Sequence, residues 1–206
     1  GMRCFIAVAF SLLLVGSSRA QEISSAYTQL DSDQHCAVLD RAEKGDGDWA
    51  ELVCSGYKGF PVFLSYDDAR ESLFYGFPPQ NGQRDWESFA AFNSAGPTIE
   101  WRIETNGDRE LPFATIHRRF VSADPEKPDV QTEVLVVSRV GTHDGQQGCV
   151  VGYVVATSNP DANEKARRIA DERARAFTCG TDQPAVESGS VPLPEVTRGG
   201  DSAPRP

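Results

Sequence analysis

The sequence lacks the short motifs that identify several large classes of enzyme. It contains no G-x-S-x-G elbow for a serine nucleophile and neither of the common glycine-rich loops that bind phosphate groups. It also contains no C-x-x-C pair, and its three histidines, His35, His117 and His143, are far apart in the chain. A zinc cluster needs closely spaced Cys and His ligands. The sequence therefore indicates no catalytic residue, no metal ligand and no cofactor.

Long apolar runs are also missing, apart from one near the start of the chain. Residues 4–15 are mostly apolar, Arg3 precedes them, and Ser18-Arg19-Ala20 follows as a small-x-small cleavage site. The run is shorter than the roughly 20 residues that span a bilayer. We expect residues 1–20 to be a signal peptide, with Gly1 left over from cloning, and no membrane span after cleavage. This expectation places the protein in the periplasm or outside the cell.

Positive charge is scarce relative to negative charge. The chain has 20 basic and 30 acidic residues, a net charge of −10, which becomes −12 once Arg3 and Arg19 leave with the signal peptide. An acidic surface repels nucleic acid and anionic lipid, so neither is an expected partner, whereas a basic protein of the cell envelope is. The chain after residue 20 has no N-x-Ser/Thr sequon, which favours a bacterial periplasm over a eukaryotic secretory route.

Four cysteines follow residue 20, and an even number in an exported chain indicates disulfide bonds. Three pairings of four cysteines are possible. We favour Cys36 with Cys54 and Cys149 with Cys179, because each pair consists of sequence neighbours that flank a compact unit. A bridged cysteine is not a thiolate, so this interpretation also disfavours a cysteine nucleophile.

Alternating apolar residues and turn signals predict an antiparallel β-meander within a single α+β domain, residues 21–180. The clearest hairpin signal is Asn106-Gly107. The predicted strands are 49–54, 61–66, 71–75, 98–104, 112–121, 131–140 and 148–157. Residues 21–34 are predicted to be an extended lead-in and 85–92 a short helical turn. Residues 181–206 contain five prolines and no aromatic residue, so we expect a disordered tail.

One amphipathic helix is predicted from Asp161 to Phe177 and is expected to pack on the sheet. Its apolar face consists of residues spaced by three and four: Ala162, Ala166, Ile169, Ala170, Ala174 and Phe177. Its charged residues form two rows with steps of four: Glu164, Arg168 and Glu172, then Arg167, Asp171 and Arg175. Interleaved acids and bases of this kind predict a solvated, salt-bridged face rather than a surface for nucleic acid or membrane.

The order of motifs resembles a family of small exported bacterial proteins of uncharacterised activity. The residues that carry the resemblance are an early Cys, Trp49-x(4)-Cys-x-Gly, Pro97-Thr-Ile-Glu-Trp-Arg, Pro112-Phe-Ala-Thr-Ile, and a Cys-containing strand followed by Asn163-x(3)-Arg and Phe177-x-Cys. The resemblance covers about residues 27–179. It implies export and two disulfides, and it implies no activity.

The candidate binding residues lie on the predicted hairpin that contains Asn106-Gly107: Trp101, Arg102, His117 and Arg118. An acid, a base and an imidazole would converge if His117 shared a face with Glu100 and Arg102, which is a requirement for general acid–base chemistry. The same charges also fit a solvated face with cross-strand ion pairs, and this interpretation is favoured.

Three functional hypotheses remain, and one of them, a stand-alone structural domain of an envelope complex, has the same sequence support as the first of the two described next. The first is a non-enzymatic exported protein that binds another protein, which requires an exposed aromatic or apolar patch on the sheet or on the loops 56–60 and 77–83. The alternative is a small hydrolase whose site lies on the Trp101, Arg102, His117 and Arg118 face, which requires a pocket with His117 and a nearby carboxylate. The ligand, the strand order and the oligomeric state do not follow from the sequence.

Overall fold

The structure is a computed structural model, and it describes residue 1 and residues 21–199. The predicted signal peptide therefore lies outside the described residues, apart from residue 1, and so do residues 200–206. Within residues 21–199 a six-stranded sheet forms the central layer. One helix covers one face of this sheet, and a four-stranded sheet and a two-stranded ribbon share the other face.

The described chain forms twelve strands and one helix of fifteen residues. The strands are β1 (Glu22–Gln29), β2 (Cys36–Arg41), β3 (Trp49–Ser55), β4 (Pro61–Asp67), β5 (Arg70–Tyr75), β6 (Glu87–Phe89), β7 (Asn93–Asn106), β8 (Arg109–Val121), β9 (Thr132–Arg139), β10 (Cys149–Val155), β11 (Ala185–Glu187) and β12 (Val196–Arg198). The helix, α1, is Ala162–Arg173, and a 3-10 turn, Ala174–Ala176, continues it.

The strand order confirms the antiparallel meander and the α+β fold. The central sheet has the order β1-β7-β8-β9-β10-β11, and only the short β10–β11 pair is parallel. The smaller sheet has the order β2-β3-β4-β5, and β6 pairs with β12 in the ribbon. Strands β3 to β5 and β7 to β10 follow one another along the chain, which is why local alternation and turn signals predicted them, whereas β1 and β11 join the central sheet from distant parts of the sequence.

The predicted apolar face of the helix is confirmed, since all six of its residues are buried. They pack on β8, β9 and β10 together with Phe113, Ile116 and Val151. The close approach of α1 to β10 depends on Gly152, where an added Cβ would lie 2.6 Å from a side-chain carbon of Ile169. The alanines serve the same purpose, because small side chains bring a helix close to the sheet.

The second charged row of α1 is not solvated as predicted, because it forms ion pairs with β7. The strand presents acid, base and acid at alternate positions, and the helix presents base, acid and base at steps of four. The three pairs are Glu100 with Arg167 (2.8 Å), Arg102 with Asp171 (2.6 Å) and Glu104 with Arg175 (3.6 Å). Two residues of strand rise about 6.7 Å and four residues of helix about 6 Å, so the two rows stay in register.

Both predicted disulfides are present. Cys36 and Cys54 are directly opposite each other on β2 and β3, with a Cα–Cα distance of 4.0 Å. Cys149 at the start of β10 bonds to Cys179 after the helix, with a Cα–Cα distance of 6.0 Å. The second bond therefore ties both ends of the strand–helix unit that closes the sheet.

Three local predictions were wrong. Residues 85–92 form β6 and a loop instead of a helical turn, since the Glu87 N–H bonds to Ser72 and β6 pairs with β12. Residues 21–34 were predicted only as an extended lead-in, but residues 22–29 pair with β7 as the edge strand β1. The predicted disorder of the tail does not hold for residues 181–199, which supply β11 and β12. In each case the partner strand is distant in sequence, so local composition could not reveal the pairing.

Candidate functional site

The four candidate binding residues do not form one surface. Trp101 and His117 face the four-stranded sheet and are completely buried, whereas Arg102 and Arg118 lie on the helix-covered face. Trp101 donates its indole N–H to the Thr28 hydroxyl at 2.8 Å. The expectation of one shared polar face is therefore corrected.

A β-bulge explains why the shared face was wrong. Near the turn, Ile103 pairs with Pro112, but Arg102 pairs with Ala114, so Phe113 is an extra residue in β8. A one-residue shift moves every later side chain of a strand to the other face. Without it, His117 would share a face with Glu100. The bulge instead places His117 opposite Ile99, inside the core.

Both arginines have structural partners. The Arg102 guanidinium forms two hydrogen bonds with the Asp171 carboxylate, at 2.9 and 2.6 Å, and a third with the Ser25 hydroxyl. Arg118 lies 3.7 Å from Glu133 on the neighbouring strand and is about one-third exposed. Arg102 therefore joins the helix to the sheet, and of the four residues only Arg118 presents a substantial part of its side chain to solvent.

The environment of His117 is that of a structural histidine. Its Nε2 lies 2.6 Å from the Gly96 carbonyl and its Nδ1 lies 2.7 Å from the Tyr75 hydroxyl. A carbonyl only accepts, so Nε2 carries the proton and Nδ1 accepts from the tyrosine. Burial lowers the pKa of His117 to about 4, which keeps the ring neutral at physiological pH. With both nitrogens bonded inside the core, the ring has no access to a substrate.

His117 belongs to a line of buried polar groups between the four-stranded sheet and the ribbon, which we call the polar seam: Glu71, Tyr75, Ser88, Asn93, His117 and Arg119. Arg119 donates to the Glu71 carbonyl and, at 2.8 Å, to the Asn93 side-chain oxygen. Ser88 donates to the same Glu71 carbonyl at 2.7 Å. Desolvation lowers the pKa of Arg119, and the nearby side chains of Tyr75, Glu71 and Tyr153 act to raise it. The seam connects the central sheet, the four-stranded sheet and the ribbon.

Phe92 is an aromatic residue that is 53 % exposed and lies beside a concavity. It lies in a groove of about 490 Å³ that we call the Phe92 groove. The apolar lining consists of Ala90, Ala91, Phe92, Pro125, Pro128 and Pro194. Polar groups at the edge are Arg70, Asp124 and Glu195. Three segments that are distant in sequence build most of this surface: the loop after β6, the turn after β8 and the irregular segment just before β12.

Backbone hydrogen bonds fix the shape of the Phe92 groove. Ala90 N–H donates to the Glu195 carbonyl at 3.0 Å, and Ser122 N–H donates to the Phe92 carbonyl at 2.9 Å. Arg70 donates to the Ala90 carbonyl at 2.8 Å, and its guanidinium lies 4.7 Å from the centre of the Phe92 ring. The ring is therefore held in place although half of its surface faces solvent.

The sequence predictions missed this groove. Ala90, Ala91 and Phe92 fall in the predicted helical turn, and Pro194 falls in the predicted disordered tail. The exposed patch was expected on the sheet or on loops 56–60 and 77–83, but this mostly apolar concavity lies at residues 90–92, 122–128 and 194–195. Only the assembly of the ribbon brings these segments together, and no local spacing signals it.

The described residues, 1 and 21–199, offer neither a metal cluster nor a membrane-spanning helix. They contain no group of three or more His, Cys, Asp or Glu side chains arranged to hold a metal ion. They contain no helix that is long and apolar enough to cross a membrane. Comparisons with family models, with curated proteins and with solved structures found no match. The functional argument therefore depends on the geometry of the chain itself.

Proposed function

We propose that this chain is a non-enzymatic binding protein of the periplasm or the extracellular space, and that its Phe92 groove binds an extended, basic segment of another protein. The observation that carries the proposal is an aromatic ring, 53 % exposed, inside a preformed apolar groove of about 490 Å³. Exposed apolar concavities with polar edges are typical of binding sites.

The shape of the groove favours an extended peptide. Its volume is in the range that holds a drug-sized ligand or a few side chains of a peptide. Aromatic and proline side chains line the floor, and surfaces of this composition bind extended or polyproline segments, whose ordering cost is low. The fixed position of Phe92 lowers the entropic cost on the protein's side as well.

Charge favours a basic partner. The chain has a net charge of −10, and Asp124 and Glu195 stand at the edge of the groove. Arg70 is the basic residue at this edge, and its charge is offset by Asp68 at 3.1 Å. Opposite charges at the rim accelerate encounter and select partners more than they increase affinity. Binding is therefore expected to weaken as salt concentration rises.

The proposal of an exported bacterial protein rests on the signal-like residues 2–20 and on the two disulfides. Such bonds form and persist in oxidising compartments. The alternative hydrolase gains no support from the geometry, since His117 is buried with Tyr75 and Gly96 as its partners and Arg102 is bonded to Asp171.

The test is direct binding of extended, Pro- and Lys/Arg-containing peptides to the chain, measured by fluorescence anisotropy at low and high salt. Phe92→Ala is expected to weaken binding at least tenfold, because an exposed aromatic anchor is lost. Val130→Ala is the matched control, since Val130 is 59 % exposed and does not line the groove. Equal affinities of the two variants, or binding to acidic peptides of the same length, would contradict the proposal.

A further inference from the structure

A second concavity, of about 450 Å³, shares no lining residue with the Phe92 groove. We call it the Glu87 cleft. The loop 79–86, the first residues of β10 and the chain around the Cys149–Cys179 bond enclose it. Its apolar lining includes Phe74, Trp86 and Phe177, and its charged lining includes Arg84, Asp85, Glu87 and Arg198.

Glu87 is built into the wall of this cleft. Its side chain is only 11 % exposed, and both carboxylate oxygens accept from the Val150 N–H at 3.1 Å. That amide is available because β11 pairs with β10 only from Gly152 onwards. A carboxylate has about four acceptor sites, and one N–H occupies only part of them. Glu87 also lines the cleft, which places its carboxylate at the wall that a ligand would contact.

Arg198 provides an adjacent positive charge. Glu87 and Arg198 are directly opposite each other in the β6–β12 ribbon. The guanidinium forms an ion pair with the carboxylate at 3.8 Å and also interacts with the Tyr153 side chain, and Arg198 is 40 % exposed. The cleft therefore presents one negative and one positive group side by side, with a fixed spacing set by strand pairing.

Burial affects the charge of Glu87. It raises the pKa of the carboxyl group to about 7, while the Val150 N–H and Arg198 act to lower it and Asp85 raises it further. The other titratable groups that face it are Tyr75 on β5 and Tyr153 on β10, whose pKa values are themselves raised by burial. A ligand cation that approaches Glu87 replaces part of the lost hydration and favours its charged form.

We propose that the Glu87 cleft binds a free α-amino acid with a large apolar or aromatic side chain. The ligand's ammonium group bonds to the Glu87 carboxylate, and its carboxylate bonds to Arg198. An α-amino acid carries these two charges on one carbon, which matches adjacent groups of opposite sign. Its side chain contacts the aromatic lining formed by Phe74, Trp86 and Phe177.

This binding mode is linked to pH. The ammonium group binds the ionised form of Glu87, so binding near neutral pH releases the proton that the carboxyl group holds about half of the time. Protonation competes with the ligand below pH 7, and affinity is expected to be about tenfold lower at pH 6 than at pH 8. An interaction confined to the apolar lining would not show this dependence.

The experiment is isothermal titration calorimetry of the chain with phenylalanine, leucine and tryptophan, at pH 6 and pH 8 and in two buffers of different ionisation enthalpy. Binding with proton release is expected, and N-acetylated and carboxamide forms of the same amino acids are expected to bind at least tenfold more weakly. Absence of binding at millimolar concentration, or equal binding of the N-acetylated forms, would overturn the proposal.

Single substitutions test whether the amino acid binds in the Glu87 cleft. Glu87→Gln keeps an acceptor for Val150 N–H but removes the charge, so it is expected to lose at least tenfold in affinity together with the pH dependence. Glu164→Gln removes an acidic charge from the exposed face of α1, outside the cleft, and serves as the matched control. Phe92→Ala is expected to bind the amino acid normally, which separates this site from the peptide groove. An unchanged affinity of Glu87→Gln would refute the assignment.

Discussion

The two faces of the central sheet are held to their neighbours in different ways. On the helix side, charged side chains at the edge of the interface form ion pairs between β7 and α1 around an apolar centre. On the other side, the polar seam lies within the core, and His117 and Arg119 are almost completely buried. The first arrangement depends on charges that partly face water, and the second on hydrogen bonds that must all be made. This difference predicts a different response to mutation on each face.

The largest effect is expected from Arg119→Ala in the polar seam. The substitution leaves the Glu71 carbonyl and the Asn93 side-chain oxygen without one of their donors and opens a cavity. Buried unpaired groups and cavities together cost about 4 kcal/mol of the free energy of unfolding. Chemical denaturation measures this value.

The neighbouring residue provides the control. Arg118 lies on the other face of β8, partly exposed, with Glu133 at 3.7 Å. Arg118→Ala is expected to cost less than about 1 kcal/mol, as for other partly exposed ion pairs. Similar losses in Arg118→Ala and Arg119→Ala would show that the two faces do not differ in the way described.

The helix side was predictable from the sequence to a much greater extent than the polar seam. The spacing of Ala162, Ala166 and Ile169 identified the buried helical face, and the alternation of Ile99 and Trp101 identified the strand. Within each signal, the residues are only a few positions apart in the sequence. The disulfide pairs were equally local.

The seam and both concavities were not predictable, because single events far apart in sequence create them. The extra residue Phe113 moved His117 into the core, and no pattern in the sequence marks it as a bulge. The ribbon joins residues 87–89 to residues 196–198. That pairing places Glu87 and Arg198 in the wall of the Glu87 cleft and brings residues 90–92 next to residues 194–195 in the Phe92 groove, whereas the composition of residues 181–206 indicated disorder.

Two buried groups are each expected to change the free energy of unfolding by about 3 kcal/mol as pH changes, which is less than the effect of Arg119→Ala. Folded His117 has a pKa of about 4 against 6.5, so between these values only the unfolded chain takes up the proton, and stability falls as pH falls. Glu87 has a pKa of about 7 against 4.5, so the folded chain takes up the proton first, and stability rises as pH falls. From pH 6.5 to 4.5 the two contributions oppose each other.

Glu87→Gln separates these contributions. The variant is expected to lose stability relative to the wild type as pH falls from 7 to 4.5, by about 3 kcal/mol in total. His117→Gln is expected to change in the opposite direction between pH 6.5 and 4. Urea denaturation at several pH values gives both differences, and parallel curves for all three proteins would contradict the assignment of buried titration to these two residues.

The smallest effect is expected on the helix side, in a double-mutant cycle of Arg102 and Asp171. The pair has two hydrogen bonds, and the side chains are 12 % and 28 % exposed, so a coupling energy of about 1 kcal/mol is expected. The cycle uses Arg102→Ala, Asp171→Ala and the double variant, and it cancels the separate loss of the Arg102 bond to Ser25. A pair within the exposed row of the helix, Glu164 and Arg168, is the comparison and is expected to give only about 0.2–0.5 kcal/mol. If the two cycles give the same coupling, the ion pairs between strand and helix add nothing beyond surface electrostatics, and the apolar face of α1 alone holds it to the sheet. A clearly larger value for Arg102 and Asp171 would mean that the matched charge rows determine the register of the helix on β7, because sliding α1 by one turn would place its acids and bases against like charges.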